Sequence, residues 1–394
     1  MHVSIVINNH NYGRFLAQAI DSALAQSHPG VEVIVCDDAS TDDSWAVIGR
    51  YGDRIRALRN AENRGQAAAM NAGFAVSRGE LVLFLDSDDF LLPDAVATCV
   101  GLFAPGVAKV QYPLRCVDAD SRCLGRQVPF LMHAGDVRPI VRRFGVYAGP
   151  PSSGNCYRRS AIERYFPLME ADWRRAADTP PFLLAAFNGR VVNADHALGC
   201  YRIHSSANRA RGSFGNIAAH PSDTLRVDQH RRTVSLALLA QVDGIQIDGP
   251  FLPAPWNLRT RAMSWRLEPD RHPFAEDSAL GLLRLQARAL CECPGYTWLE
   301  RRAAQLWLLS VLATPGGWAA PVAMINTSSR VRRWLRKLRH WGQGQGSAVP
   351  PGSTVHVLPT PEARTAPRAW LGAVAETSGP ADLLREDPAR HRTA

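Results

Sequence analysis

The first half of the chain is predicted to be an α/β fold with a mostly parallel sheet flanked by helices. Short apolar runs at 3–7, 31–35 and 81–85 each end in a polar or acidic loop, as buried parallel strands do. Between them the apolar residues recur at helical spacing, for example Phe15, Leu16, Ala19, Ile20, Ala23 and Leu24. No glycine fingerprint of the dinucleotide or P-loop kind follows any of these strands, which argues against hydride transfer and ATP hydrolysis.

The elements follow in order. Val3 to Ile7 forms the first strand and runs into Asn8, Asn9, His10 and Asn11. A helix over 15–24 leads to the strand Val31 to Val35, which ends at Asp37 and Asp38. Ser40 or Thr41 is positioned to cap a helix running through Ile48, Ile55 to Leu58 is a third strand, and Gly65 to Val76 is a further helix. The strand Leu81 to Leu85 then delivers Asp86, Ser87, Asp88 and Asp89. Crossovers between parallel strands are right-handed, and open sheets of this kind bind ligands beyond the carboxyl ends of their strands. One crevice therefore collects three loops rich in acids and amides. Carboxylates at this spacing repel one another unless a divalent cation neutralises them or solvent screens them, so a hard cation and a phosphate ester suit the site.

Composition bounds the rest. The 394 residues, 46% apolar, are enough for one large core and a smaller second module, and the net charge of +9 favours acidic partners. Eight cysteines show neither the density of a disulfide framework nor a CxxC pair suited to zinc, and are expected to be reduced and mostly core. The strand pattern beginning at His2 leaves no signal-peptide pattern, which sets the expectation of a cytoplasmic protein.

From 222 to 312 helical periodicities dominate, as in Leu225 to Val242 and Glu276 to Leu290, broken around Pro250, Pro253 and Pro255. The apolar stretch Leu306 to Ile325 is interrupted by Pro315, Gly316, Gly317 and Pro321, so it reads as an interfacial hairpin or partner surface rather than a membrane span. Beyond it Arg330, Arg332, Arg333, Arg336, Lys337 and Arg339 share a helix with Val331, Trp334, Leu335, Leu338 and Trp341, a pattern suited to an anionic membrane surface or to packing on its own domain. After Gly342 the Gly, Gln, Pro, Ser and Thr content predicts a disordered tail. No nucleic-acid module is recognisable.

Four blocks in sequence carry a resemblance: VSIVINNHNYGRFLAQAIDSALAQS (3–27), VEVIVCDDASTDDS (31–44), NRGQAAAMNAGF (63–74) and GELVLFLDSDDFLLPD (79–94). Together they resemble the nucleotide-binding half of the family 2 glycosyltransferases of GT-A fold, a Rossmann-like α/β fold. SSGNCYRRSAIE (152–163) and LGCYRIHSSAN (198–208) extend the likeness more loosely to about residue 210.

The resemblance implies a nucleotide-sugar-binding half at 1–115 and an acceptor-binding half at 116–212; periodicity and composition then set a helical extension at 213–341 and the tail at 342–394. It implies an inverting transferase that uses Mn²⁺ or Mg²⁺ and a nucleoside-diphosphate sugar of UDP, dTDP or GDP. The acceptor would be a hydroxyl of a glycan or lipid-linked molecule in surface polysaccharide or glycolipid synthesis, at the inner face of a membrane. Asp38 would bind the base beside Asn8 and His10, Arg64 would lie near the diphosphate, Asp86 near the ribose or sugar, and Asp88 on the metal with His204 as a further metal candidate. Ser153, Gly154 and Asn155 resemble an acceptor loop.

The base is placed at Asp178 by the likeness of AADTPPFLLAAFNGRVV (176–192), with Asp172 and Glu170 as alternatives and a simple helix N-cap as the plainer role. Ala177 stands where the family often has Glu, and Pro180 and Pro181 are unusual there. Those departures leave open a catalytically silent binding or assembly subunit, and a nucleotidyltransferase is the other reading considered.

Overall fold

The computed structural model describes residues 1–203 and 220–314. Seven strands form the main sheet: β1 (Val3–Asn9), β2 (Val31–Asp37), β3 (Arg56–Arg59), β4 (Leu81–Asp86), β6 (Val107–Gln111), β9 (Asn155–Arg158) and β10 (Arg190–Asn193), in the order β10-β6-β9-β4-β1-β2-β3. Pairing is parallel except for β9, which runs antiparallel between β4 and β6. A smaller sheet of β5 (Phe90–Leu91), β11 (Gly199–Arg202), β7 (Leu114–Val117) and β8 (Cys123–Val128) adjoins it, in the order β5-β11-β7-β8. The sequence does not announce this second sheet, because three of its four strands have only two or four residues and carry too little periodicity to read.

Every residue of β1 is buried, since the strand lies mid-sheet with a helix layer on each face. On one face Ile5 and Ile7 pack with Leu16, Ile20 and Ala23 of α1 (Gly13–Leu24). On the other, Val6 packs with Met70 and Phe74 of α3 (Gln66–Val76). Replacing one of these isoleucines by alanine costs about 2–5 kcal/mol. All eight cysteines are free thiols and six of them are buried; burial pushes the Cys36 thiol up to about 12, so it behaves as an apolar side chain.

The helix expected to be capped by Ser40 or Thr41 begins later: α2 is Ser44–Gly49. Ser40 is occupied elsewhere, its Oγ accepting from Asn9 Nδ2 and from the Asn11 amide, while Asp42 Oδ1 accepts from the Ser44 amide. Loop-to-loop bonding has outcompeted capping.

Short helices follow: α4 (Ala95–Leu102), α5 (Arg138–Phe144), α6 (Arg159–Ile162) and α7 (Thr179–Leu184). Beyond residue 220 the chain is helical: α8 (Pro221–Asp243), α9 (Pro255–Leu267), α10 (Ala279–Glu292) and α11 (Trp298–Ala313). The second of the expected helices starts at Ala279 rather than Glu276, because Arg261 binds both Glu276 and Asp277 and Ser278 supplies the cap. Leu258, Ala262, Leu282, Ala289, Leu308 and Val311 form a core for this helical region, which Phe144 of α5 joins. No helix among the described residues is long and apolar enough to cross a membrane. The basic stretch 330–341, the tail, His204 and residues 315–325 of the expected hairpin lie outside the described residues.

Gly65 immediately precedes α3 with φ 93° and ψ 178°, and a Cβ there would stand 2.6 Å from Arg174 Cα. Gly65→Ala is therefore expected to lose about 1–3 kcal/mol. Chemical denaturation reads this directly, and wild-type stability in the variant would contradict the close approach.

Candidate active site

The site assembles at the carboxyl ends of β1, β2 and β4. Strand register sets Asn8 level with Asp86 on one side and Cys36 on the other, one residue before Asp37. Both polar atoms of the Asn8 side chain are buried without a hydrogen-bond partner, although Asn8 sits among groups that are otherwise well bonded. A buried amide left unpaired costs about 1–3 kcal/mol, which a ligand meeting it would recover.

The second loop is tied into the first. Asp37 accepts from Asn9 Nδ2 at 2.8 Å and from the Ser40 amide at 3.1 Å. Asn11 takes the left-handed conformation, φ 57°, so that its Oδ1 accepts from the Thr41 amide at 2.7 Å. Asp38 is 2% exposed. Its carboxylate accepts from the Arg64 amide at 3.0 Å, the Gly65 amide at 2.6 Å and Asn60 Nδ2 at 2.8 Å. Asp38 thus organises the 60–65 loop, and its backbone carbonyl receives His10 Nδ1 at 2.7 Å. His10 Nε2 stands 2.8 Å from Asn63 Nδ2, an arrangement that fits the Nδ1-protonated ring.

At the end of β4 the acids differ in role. Asp89 is anchored: its Oδ1 accepts from the Arg202 amide at 2.9 Å and its Oδ2 from Ser153 Oγ at 2.6 Å. Arg202 is a buried cation that also donates to the Asp88 carbonyl at 2.7 Å, to the Asp118 and Ala119 carbonyls at 3.1 Å and to Gln18 Oε1 at 2.5 Å. Asp86 and Asp89 are both held well above the usual carboxylate range by burial and by repulsion from Asp88. Asp178 also repels Asp86, which places the two carboxylates within electrostatic reach of each other.

Asp178 stands at the N-cap position of α7 but makes no capping hydrogen bond, so capping does not account for it. Burial raises its pKa, while Arg231 and Lys109 pull it down. Pro180 and Pro181 fall in the first turn of α7, where a missing N–H costs nothing. Ala177 is fully buried in the cluster that holds Trp173 and Met70 and donates its amide to Gln66 Oε1 at 3.0 Å. Of the two alternatives, Glu170 is engaged by Arg64 in a bidentate pair, with Nη2 to Oε1 2.7 Å and Nε to Oε2 2.8 Å. Arg64 therefore points to Glu170 in this structure. Asp172 is half-buried and its carbonyl faces His230.

The residues expected to form an acceptor loop lie inside the wall of the site. Ser153 and Asn155 are each 1% exposed, and a Cβ on Gly154 would stand 2.5 Å from Pro150. Asn155 donates to the Pro151 carbonyl at 2.8 Å and accepts at 3.0 Å from Lys109 Nζ. Lys109, not singled out from sequence, is wholly buried among Tyr147, Tyr157 and Phe182, with Nζ 3.7 Å from the Phe182 ring centre. Its position between two apolar residues on a strand gave no sign of this role.

Hard oxygen donors at Asp86 and Asp88, the former raised by burial and by the neighbouring Asp88 charge, fit a divalent cation, although no cluster of three ligand-type side chains forms among the described residues.

Residues 4–166 match the family described as Glycosyl transferase family 2. An uncharacterized glycosyltransferase of Nostoc sp. is 36% identical over 217 residues, 53% of this chain and 66% of that protein. The Escherichia coli glucosyltransferase WfaP, named for transfer from UDP-Glc to GlcNAc-diphosphoundecaprenol, is 39% identical over 89 residues, 22% of this chain and 36% of that one. The succinoglycan biosynthesis protein ExoU of Rhizobium meliloti is 44% identical over 94 residues, 23% and 27% of the two chains. The chain thus spans just under two thirds of the first of these proteins and smaller parts of the other two. The solved structure of TarS from S. aureus is similar with TM-score 0.47 at 15% identity, covering 86% of this chain and 93% of that one. The class is that of glycosyltransferases. Residues 4–166 belong to glycosyl transferase family 2.

The raised acids have a thermodynamic consequence. In metal-free protein Asp86, Asp89 and Asp178 hold more protons folded than unfolded, so their contribution to stability is full below the ordinary carboxylate pKa. It is lost as pH rises through the higher folded values. Asp86→Asn is expected to raise the melting temperature in EDTA at about pH 7.5 and to lose that advantage at about pH 4. An equal effect at both pH values would contradict the assignment.

Proposed function

We propose that the chain is a metal-dependent inverting transferase that moves a sugar from a nucleoside-diphosphate sugar to a hydroxyl of a glycan or lipid-linked acceptor. The observation that carries this reading is that Asp86, from the 1–115 half, lies level with the unpartnered amide of Asn8 and within electrostatic reach of Asp178, from the 116–212 half. A donor bound along the β1, β2 and β4 loops would have its nucleoside near Asn8, His10 and Asp38. Its ribose or sugar would lie near Asp86. Ring N–H groups of uracil, thymine or guanine are donors to a carboxylate, which suits Asp38 once the 60–65 loop yields one of its bonds. Arg64, released from Glu170, would meet the diphosphate.

Asp88, with His204, would hold Mn²⁺ or Mg²⁺, which when bound supplies charge neutralisation to the leaving diphosphate. Asp178 takes the proton of the acceptor hydroxyl as its oxygen bonds the anomeric carbon and the bond to the diphosphate breaks. One base and no separate nucleophile gives inversion. Burial raises Asp178 towards the range in which a carboxylate is an effective base. Ser153, Gly154 and Asn155 would shape the acceptor wall from within.

Relatives named for UDP-Glc transfer to a diphosphoundecaprenol-linked sugar and for succinoglycan biosynthesis support a role in surface polysaccharide or glycolipid synthesis. Action from the cytoplasm at the inner face of a membrane agrees with the basic amphipathic sequence at 330–341 and with exposed Trp298, Leu299, Leu306 and Leu309 on α11.

Asp178→Asn is expected to lower transfer by at least about a thousandfold while leaving donor affinity within about twofold. Product formation and donor binding measured side by side check this, and retained transfer would remove Asp178 as the base.

A further inference from the structure

Helix α8 lies beyond the region matched to the family, yet one of its faces is built into the wall that carries Asp178. Val234 and Leu238 pack against the cluster containing Trp173 and Ala177. Leu236 and Leu239 belong with Leu183 and Leu184 of α7 in another. These two clusters flank Asp178 on its N- and C-terminal sides. The His230 ring lies 6.3 Å from that of Trp173, and its Nε2 is 3.4 Å from the Asp172 carbonyl oxygen. At the far end of the helix Asp243 is bound by Arg164 at 2.8 Å and by the Tyr165 hydroxyl, which fixes the helix lengthwise.

Arg231 is three residues before Val234 and seven before Leu238, so helical spacing carries it on the same face towards Asp178. Its Nη1 is 3.8 Å from Asp228 Oδ1, one turn back. Its Nε and Nη2 are buried and without a hydrogen-bond partner. Of the charges that act on Asp178, that of Arg231 is the largest. A guanidinium presents its donors as a planar fork matched to a carboxylate, and leaving that fork unmet in a dry setting is costly.

We propose that Arg231 is a positioning residue for the transfer reaction: held from behind by Asp228, it orients and keeps ionised the Asp178 carboxylate, so that the helical extension is part of the catalytic apparatus. This inference rests on Asp178 being the base. The other charged or titratable groups that face Asp178 are Lys109 from β6, Asp86 from β4 and Tyr157 from β9. Lys109 donates to Asn155 and is enclosed by aromatic rings, whereas Arg231 carries two buried N–H groups that no acceptor meets. Asp228 itself is pushed up to about 6 by burial, against the pull of Arg231 and Arg232.

The test uses full-length protein labelled with ¹³Cγ-aspartate, in which the resonance absent from Asp178→Asn identifies Asp178. Its titration is followed in wild type, Arg231→Gln and Arg231→Lys without metal. The midpoint is expected to move up by about one pH unit in Arg231→Gln and to return most of the way in Arg231→Lys. Should the glutamine variant fail to fold by circular dichroism, Arg231→Met fills the same space without a buried amide and takes its place. A midpoint that stays where it is in the uncharged variant, or that lysine does not restore, overturns the proposal. Failure of the base reading is seen separately, as transfer that survives Asp178→Asn.

Discussion

Asp86, Asp88 and Asp89 leave a buried strand within four residues of one another, and much of the surrounding structure answers the electrostatic cost of that arrangement. Burial and repulsion act in the same direction on Asp86 and Asp89. The fold meets one of the charges internally: Ser153 and the Arg202 amide satisfy Asp89, and the Arg202 side chain ties this turn to the 118–121 turn and to α1. Among the described residues no cation gives Asp86 such relief, and Asp178 adds to its burden. A site that stores repulsion of this kind is complementary to a metal-bound anion, because the cation that relieves the acids also attracts the phosphates.

The segment from Glu170 to Asp178 is the second point on which the site depends. The start of α3 holds it, with the Gln66 amide donating to the Arg174 carbonyl at 2.9 Å and the Ala67 amide to the Trp173 carbonyl at 3.1 Å. Asp38 in turn holds the loop that begins α3. Asp38 and the segment that ends at Asp178 are thus connected through a short run of backbone bonds. Gly65 lies in that run, with a backbone that only glycine adopts without strain. Helix α8 closes the same segment from the other side.

The strands β1, β2 and β4 and helices α1 and α3 were legible because mid-sheet strands read as continuous apolar runs, α1 keeps a clear apolar face and α3 is an unbroken alanine-rich stretch. The acids at their ends could be found for the same reason, since a polar cluster behind an apolar run marks a strand's end. Other features were illegible on physical grounds. The antiparallel β9 has only four residues, and nothing local tells its direction. Lys109 is read from sequence as an ordinary strand lysine, and only packing reveals its aromatic surroundings. Asn155 has the composition of a ligand contact, but the turn before it uses up its amide. Arg231 is one of many arginines in a helix, and its relation to Asp178 depends on two elements about fifty residues apart in sequence coming together.

The central claim is that the crevice beyond β1, β2 and β4 binds a nucleoside diphosphate through a divalent cation. A thermal-shift panel of UDP, dTDP, GDP and CMP, each with and without Mn²⁺, on wild type and Asp88→Asn tests it most directly. At about 100 times its dissociation constant, a ligand stabilises the folded state by roughly 2.7 kcal/mol. The account predicts that one nucleoside diphosphate gives this stabilisation only with the metal and only in wild type. Equal responses in Asp88→Asn, or no response to any of the four, would contradict it.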